Sequence, residues 1–169
     1  MGPDETRRVP LADLYKNDGI FYMKRKPEEL VTRVILPDRT GWESTYLKLR
    51  RRGSIDFPVL GVAAAIQRDG DGPVTDARLV LGAVASRPIN IDASPLVGTK
   101  LEDEAIESLA AHAAKLAKPM DNSDFTLHWR KSVVAVQVAG ALRVLRGDAT
   151  GELPLLPRRC AEAAAATCA

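Results

Sequence analysis

Apolar and polar positions change period part-way along the chain, and the change divides it. Up to residue 30 few apolar positions recur at any period. Residues 1–30 therefore read as an extended lead-in, with a turn at Asn17-Asp18-Gly19. Residues 31–36, Val-Thr-Arg-Val-Ile-Leu, predict a strand that Pro37 ends. Residues 43–51 predict a second, with Leu47 and Leu49 on one face and Lys48, Arg50 and Arg52 on the other. The small apolar run 59–67 predicts a third. Residues 68–73, Arg-Asp-Gly-Asp-Gly-Pro, form a hairpin turn with glycines where positive φ is wanted. In 74–85 Ala77, Leu79, Leu81 and Ala83 alternate with Arg78, Val80, Gly82 and Val84, which predicts a fourth strand.

The period then becomes helical. Residues 95–98 suggest one short turn. Residues 102–116 predict a helix with Ile106, Leu109 and Ala113 in one stripe. Its acids come early and Lys115 and Lys118 late, which suits the helix dipole, and Pro119 stops it. Residues 121–124 offer capping side chains for a long helix over 126–146, with Leu127, Val134, Val138, Ala141 and Leu145 on a face. Gly147 ends it. Strands first and helices after predict an α+β fold, an antiparallel sheet of three to four strands covered by helices. The expected domain spans 31–147. Residues 148–169, Pro-punctuated and then Ala-rich, read as a ragged helix or disorder.

Composition narrows the function classes. The chain has 169 residues, with 24 Lys and Arg against 22 Asp and Glu, so its net charge of +2 predicts no strong global pull on nucleic acid or acidic membrane. Aromatics are only 5%, so the core must come from Val, Leu, Ile and Ala. The two cysteines, Cys160 and Cys168, both lie in the last ten residues, and alone they build neither a disulfide framework nor a metal or cluster site. A reducing cytoplasm fits them. The start has no apolar signal region, and no apolar run approaches the roughly 20 residues of a membrane span.

The residues carry little self-sufficient chemistry. There is no G-x-G-x-x-G and no Walker lysine loop. Asp69-Gly-Asp-Gly72 lacks the spaced ligands of a calcium loop. His112 and His128 have no metal-binding partner at helical spacing and read as surface or packing residues. Ser54 lacks a nucleophile-elbow context. The basic run Lys48-Leu-Arg50-Arg-Arg52 has three readings: a solvated strand face that also blunts a sheet edge, an anion site beside a Gly-Ser turn, or a nucleic-acid surface. The residues alone favour the first.

An ordered set of segments adds to this. Val9-Pro-Leu-Ala-Asp-Leu-Tyr15 is followed by Asp18-Gly19, by Glu28-Glu-Leu-Val-Thr32 and by Ile35-Leu-Pro37. Then come Tyr46-Leu-Lys-Leu-Arg-Arg-Arg-Gly-Ser-Ile-Asp-Phe-Pro-Val59 and Ala77-Arg-Leu-Val-Leu-Gly-Ala-Val-Ala-Ser-Arg-Pro88. Leu96-Val-Gly98 precedes the acidic helix, and Trp129-Arg130 opens the last one. Over about residues 9–147 this set resembles the C-terminal half of the FAD-binding medium subunit of molybdenum hydroxylases. That family includes xanthine dehydrogenase, aerobic carbon monoxide dehydrogenase and 4-hydroxybenzoyl-CoA reductase. The Arg-Arg-Gly-Ser-Ile-Asp-Phe-Pro string looks closest to the last, its beta subunit. Trp129 stands where the family more often has Tyr or Phe.

The resemblance implies the CO dehydrogenase flavoprotein C-terminal domain fold. It implies FAD held between this domain and an N-terminal flavin domain whose glycine-rich loops bind the pyrophosphate. The sequence has no such loops, so the isolated chain is expected to be inactive and not to hold FAD alone. Two cofactor-side positions carry over: Lys48, near the flavin ring, and the apolar Val31. The extra four-cysteine cluster of some 4-hydroxybenzoyl-CoA reductases has no ligands here. The implied partners are a molybdopterin-binding large subunit and an iron–sulfur small subunit. A non-catalytic assembly module, left after loss of the flavin half, is the rival expectation.

Overall fold

The computed structural model describes residues 6–53, 55–122 and 125–148. Four strands form one antiparallel sheet in chain order: β1 (Trp42–Leu49), β2 (Leu60–Arg68), β3 (Val74–Gly82) and β4 (Ile89–Ile91). Two helices follow, α1 (Asp103–Leu116) and α2 (Leu127–Arg146). The α+β architecture matches the one expected from the order of periods.

Alternation along the strands decides which face is covered. Val62, Ala64 and Ile66 of β2 and Leu79 and Leu81 of β3 are buried on one face, with Leu47 and Leu49 of β1 packed against them. Helix α2 lies over β1 and β2, and α1 packs beside α2. Val134, Val138, Ala141 and Leu142 of α2 and Ile106, Ala110 and Ala113 of α1 complete the same core. Each large aliphatic buried there contributes roughly 1.5–3 kcal/mol. The helices leave the other sheet face uncovered.

Local signals end the elements where the chemistry asks. Thr126 Oγ1 accepts from the Trp129 amide at 3.3 Å and caps α2. Gly147, at φ +96°, stops α2 by donating to the Arg143 and Val144 carbonyls. Gly70 takes φ +59° in the β2–β3 hairpin. Asp121, within the capping run expected before α2, accepts from the Leu127 amide.

Several expectations need correction. Residues 31–36 form no strand and pair with none of the four. Their apolar side chains find no core: Val31 is 57% and Leu36 83% exposed. The outer side of β1 is free, yet 31–36 do not pair with it: strand composition alone specifies no partner. β4 was not expected. It is three residues long, and its Ile-Asn-Ile alternation is too short to stand out. β3 stops at Gly82 rather than at 85, because Ala83 turns to φ +66°. Leu127, expected in the core, is exposed at the first turn of α2. Ser54, Asp124, Cys160, Cys168 and the 148–169 tail beyond Asp148 lie outside the described residues.

The lead-in is ordered by its own bonds. Asp18 Oδ1 accepts from the Ile20 and Phe21 amides at the expected turn, and Tyr15 bridges Met23 across it. Arg7 pairs with both carboxylate oxygens of Glu29 at 2.9 Å. Asn17 Oδ1 accepts from Ser86 Oγ at 3.0 Å and ties the turn to the end of the sheet. Its apolar side chains Ile20, Phe21, Leu30 and Val34 stay exposed.

Candidate functional site

The uncovered face is built from every second strand residue. Because Leu47 and Leu49 turn inward, Tyr46 and Lys48 stand on the open face. Register places Lys48 beside Gly61, and Gly61 beside Gly82. The next row is Tyr46, Ala63, Val80 and Asn90. Small residues thus make a flat floor next to one exposed ammonium group.

Tyr46 leans along this floor. A Cβ at Gly61 would lie 2.7 Å from Tyr46 Oη and 3.3 Å from Cε2, so the phenol passes over the Gly61 backbone. Sequence reasoning missed Tyr46 as a site residue. The available signal was its two-residue spacing from Lys48, which puts both on one face. At the far end of the floor the indole of Trp42 lies between Arg39 and Arg78, whose guanidinium carbons are 5.1 and 5.0 Å from the ring centre.

Beyond Lys48 the chain enters the basic loop. Arg52 pairs with Asp56 at 3.3 Å, and this bond holds the Asp56 carboxyl below the usual range. Both members are on a surface loop, so the pair adds little stability. Ile55 and Phe57 are almost fully exposed. An open hollow of about 640 Å³ lies between this loop and Asn122 and Phe125, the latter stacked on Trp129 at 4.4 Å.

Val31 is on the extended segment before β1, exposed, and no described hydrogen bond, ion pair or ring contact joins it to Lys48. His112 and His128 are exposed, as expected of surface residues. Among the described residues no cluster of His, Cys, Asp and Glu could hold a metal ion. No described helix is long and apolar enough to cross a membrane.

Charge is uneven along the strands. The end with Lys48 also carries Arg50, Arg51 and Arg52 after β1, Arg87 after β3, Lys118 after α1 and Lys131 in the first turn of α2. The opposite end carries Asp69 and Asp71 of the hairpin and Asp103, Glu104 and Glu107 of α1, interspersed with Arg39, Arg68, Arg78, Arg143 and Arg146.

The model of the CO dehydrogenase flavoprotein C-terminal domain matches residues 44–145, which are the four strands and two helices almost entire. The chain belongs to this family. Among curated relatives, the aldehyde oxidoreductase FAD-binding subunit PaoB of Escherichia coli is 33% identical over 81% of the chain and 41% of its own length. The glyceraldehyde dehydrogenase medium chain of Sulfolobus acidocaldarius is 27% identical over 82% of the chain and 48% of its length. The carbon monoxide dehydrogenase medium chain of Afipia carboxidovorans is 28% identical over 83% and 49%. The chain spans about half the length of these relatives or less.

Solved structures agree in fold. A Cu,Mo-CO dehydrogenase chain superimposes with a TM-score of 0.71 at 27% identity, over 84% of this chain and 50% of that one. The carbon monoxide dehydrogenase of Hydrogenophaga pseudoflava gives 0.76 at 23% identity over 86% and 51%, a likeness of fold.

The residues of this CO dehydrogenase flavoprotein C-terminal domain fit one side of a flavin. Gly82 leaves the backbone bare, Tyr46, lying over Gly61, offers a ring and a hydroxyl, and Lys48 offers a cation. They do not fit the pyrophosphate, because no glycine-rich phosphate loop exists in the sequence.

Proposed function

We propose that this chain is the C-terminal domain of the FAD-binding subunit of a molybdopterin-dependent oxidoreductase, and that its open sheet face closes one side of the flavin. The observation that carries the reading is Lys48, exposed beside Tyr46 and the Gly61–Gly82 strip, in a chain of the CO dehydrogenase flavoprotein C-terminal domain family. FAD, when bound, relays electrons between iron–sulfur clusters and an external partner. The ammonium of Lys48 stabilises negative charge gained on reduction. Tyr46, lying over Gly61, fixes the ring's lateral position, and Gly82 lets a planar group approach the backbone. Val31 supplies an apolar contact from the lead-in. The exposed Ile20, Phe21, Leu30 and Val34 fit a surface covered by the flavin-binding half, which the relatives' greater length accommodates.

The partners in this reading are a molybdopterin-binding large subunit and an iron–sulfur small subunit, in the cytoplasm. The loop string Arg51-Arg-Gly-Ser-Ile-Asp-Phe-Pro58 supports a finer reading, a reductase of the 4-hydroxybenzoyl-CoA type. Reduction of the purified complex by an aldehyde, with no reoxidation of the dithionite-reduced complex by 4-hydroxybenzoyl-CoA, would discard it.

Two measurements test the main reading. Mixed with FAD, the chain alone should leave flavin fluorescence unquenched, and tight binding would contradict the missing cradle. In the flavin-loaded complex containing this chain, Lys48→Ala should lower the flavin midpoint potential. An unchanged potential sinks the role of Lys48. The second reading is a non-catalytic assembly module. Purification with the large subunit but without flavin would select it.

A further inference from the structure

Arg130 carries the buried charge of the described residues, with 8% of its surface exposed. Burying a guanidinium is costly unless strong partners replace water. Among the described residues no carboxylate pairs with it. Nη1 donates to the Met120 carbonyl at 2.6 Å, and Nη2 donates to the Ala83 carbonyl at 2.6 Å and the Val59 carbonyl at 3.1 Å. Nε finds no acceptor among the described residues. The guanidinium therefore depends on these three carbonyls to offset its desolvation.

The three carbonyls belong to three separate crossings at one end of the sheet. Met120 follows α1, Val59 leads into β2, and Ala83 leaves β3. Val59 also donates its amide to the Leu49 carbonyl at 2.8 Å, which closes the basic loop one residue after Lys48. Ala83 follows Gly82, the last residue of the floor, and stands at φ +66°, where an alanine is strained. One planar fork thus holds the loop base beside Lys48 and the strained exit beside Gly82. A lysine, with a single nitrogen on a flexible stem, does not span three diverging carbonyls.

We infer that Arg130 is a positioning residue for the flavin face: by pinning Val59 and Ala83 it fixes the β1–β2–β3 end on which Lys48 and the Gly61–Gly82 strip meet the flavin. This rests on the reading of Lys48 given under Proposed function. Arg130 itself touches neither the open face nor the flavin. It acts through backbone it holds from below, so its influence on the flavin must pass through Lys48 and its neighbours.

The test has two arms. In the chain itself, Arg130→Lys should speed amide hydrogen exchange at 49, 59–61 and 82–84, with 134–142 of α2 unchanged. Equal protection at the loop base overturns the pinning. In the flavin-loaded complex, Lys48→Ala, Arg130→Lys and the double variant form a cycle read by flavin midpoint potential and thermal melting. The expected result is a downward shift from each single change and no further shift in the double. A lower melting temperature with an unmoved potential for Arg130→Lys makes Arg130 a purely structural residue and leaves Lys48's role standing. A full additional shift in the Lys48→Ala background also overturns the route. If Lys48→Ala does nothing, the Lys48 reading fails and this inference fails with it. Should Arg130→Lys not fold, Arg130→Gln takes its place in the cycle. Its shorter, neutral amide cannot hold all three carbonyls, so it should loosen the same end; an unmoved potential there counts against the inference equally.

Discussion

The hydroxyl of Tyr46 lies over Gly61 so closely that a methyl at position 61 would stand 2.7 Å from it. Gly61 is not a turn glycine: its φ is ordinary, and it sits inside β2. The neighbour, not the backbone, requires the missing side chain. Because the obstructing atoms are the far end of a side chain, Gly61→Ala should swing Tyr46 aside at a stability cost of about 1 kcal/mol or less. Changed ring resonances of Tyr46 with a nearly unchanged melt are the expected outcome. In the flavin-loaded complex the same variant should weaken flavin retention.

Thr126 caps α2 at the end that carries Arg130. Thr126→Ala should cost about 1 kcal/mol, and Thr126→Ser much less, because serine keeps the accepting oxygen. Urea unfolding with an unchanged slope checks both.

Position along α2 separates core from surface. Leu142 is 1% exposed and Val136 is 49% exposed on the same helix. Leu142→Ala should cost about 2–5 kcal/mol, the range for emptying a packed site. Val136→Ala should stay within about 0.5 kcal/mol. Equal losses would mean that α2 faces the sheet differently.

Glu29 holds the lead-in to Arg7. The Arg7 hydrogen bond, helped by the Lys26 amide, lowers its carboxyl from the ordinary 4.5 to about 2. A depressed carboxyl contributes its tie above the unfolded value and loses it as pH falls through the folded one. The clip should therefore be intact at pH 5, weaken below about 4.5 and be gone near 2. A carboxyl-carbon titration of Glu29 should give a midpoint near 2, and Arg7→Gln should move it back towards 4.5.

Much of this was legible in the chain. The change of period after residue 95 placed the sheet before the helices. Leu47 and Leu49 against Lys48 assigned the two faces correctly, and Gly147 marked the end of α2, whose N-cap is Thr126 rather than a residue of the 121–124 run. Other features depended on neighbours far away in sequence. Residues 31–36 have strand composition, yet they pair with neither free edge of the sheet, β1 or β4. Arg130 looks like a surface cation of an amphipathic helix until the carbonyls of Val59 and Ala83, 71 and 47 residues away, converge on it. Tyr46 gained meaning only when register set it diagonally across from Gly61. Lys48 entered through resemblance, and the open face then supplied its surroundings.

The basic cluster at the Lys48 end gives the described part of this nearly neutral chain an uneven charge. In the field of a partner it experiences a torque before any atoms touch. The end with Lys48 and the 50–52 arginines swings towards negative potential, and the α1 acids swing away. Productive collisions with an acidic surface should then outnumber random ones at low salt. The advantage should fade as the screening length shrinks to about 10 Å near 0.1 M salt. Net charge alone would have forecast indifference.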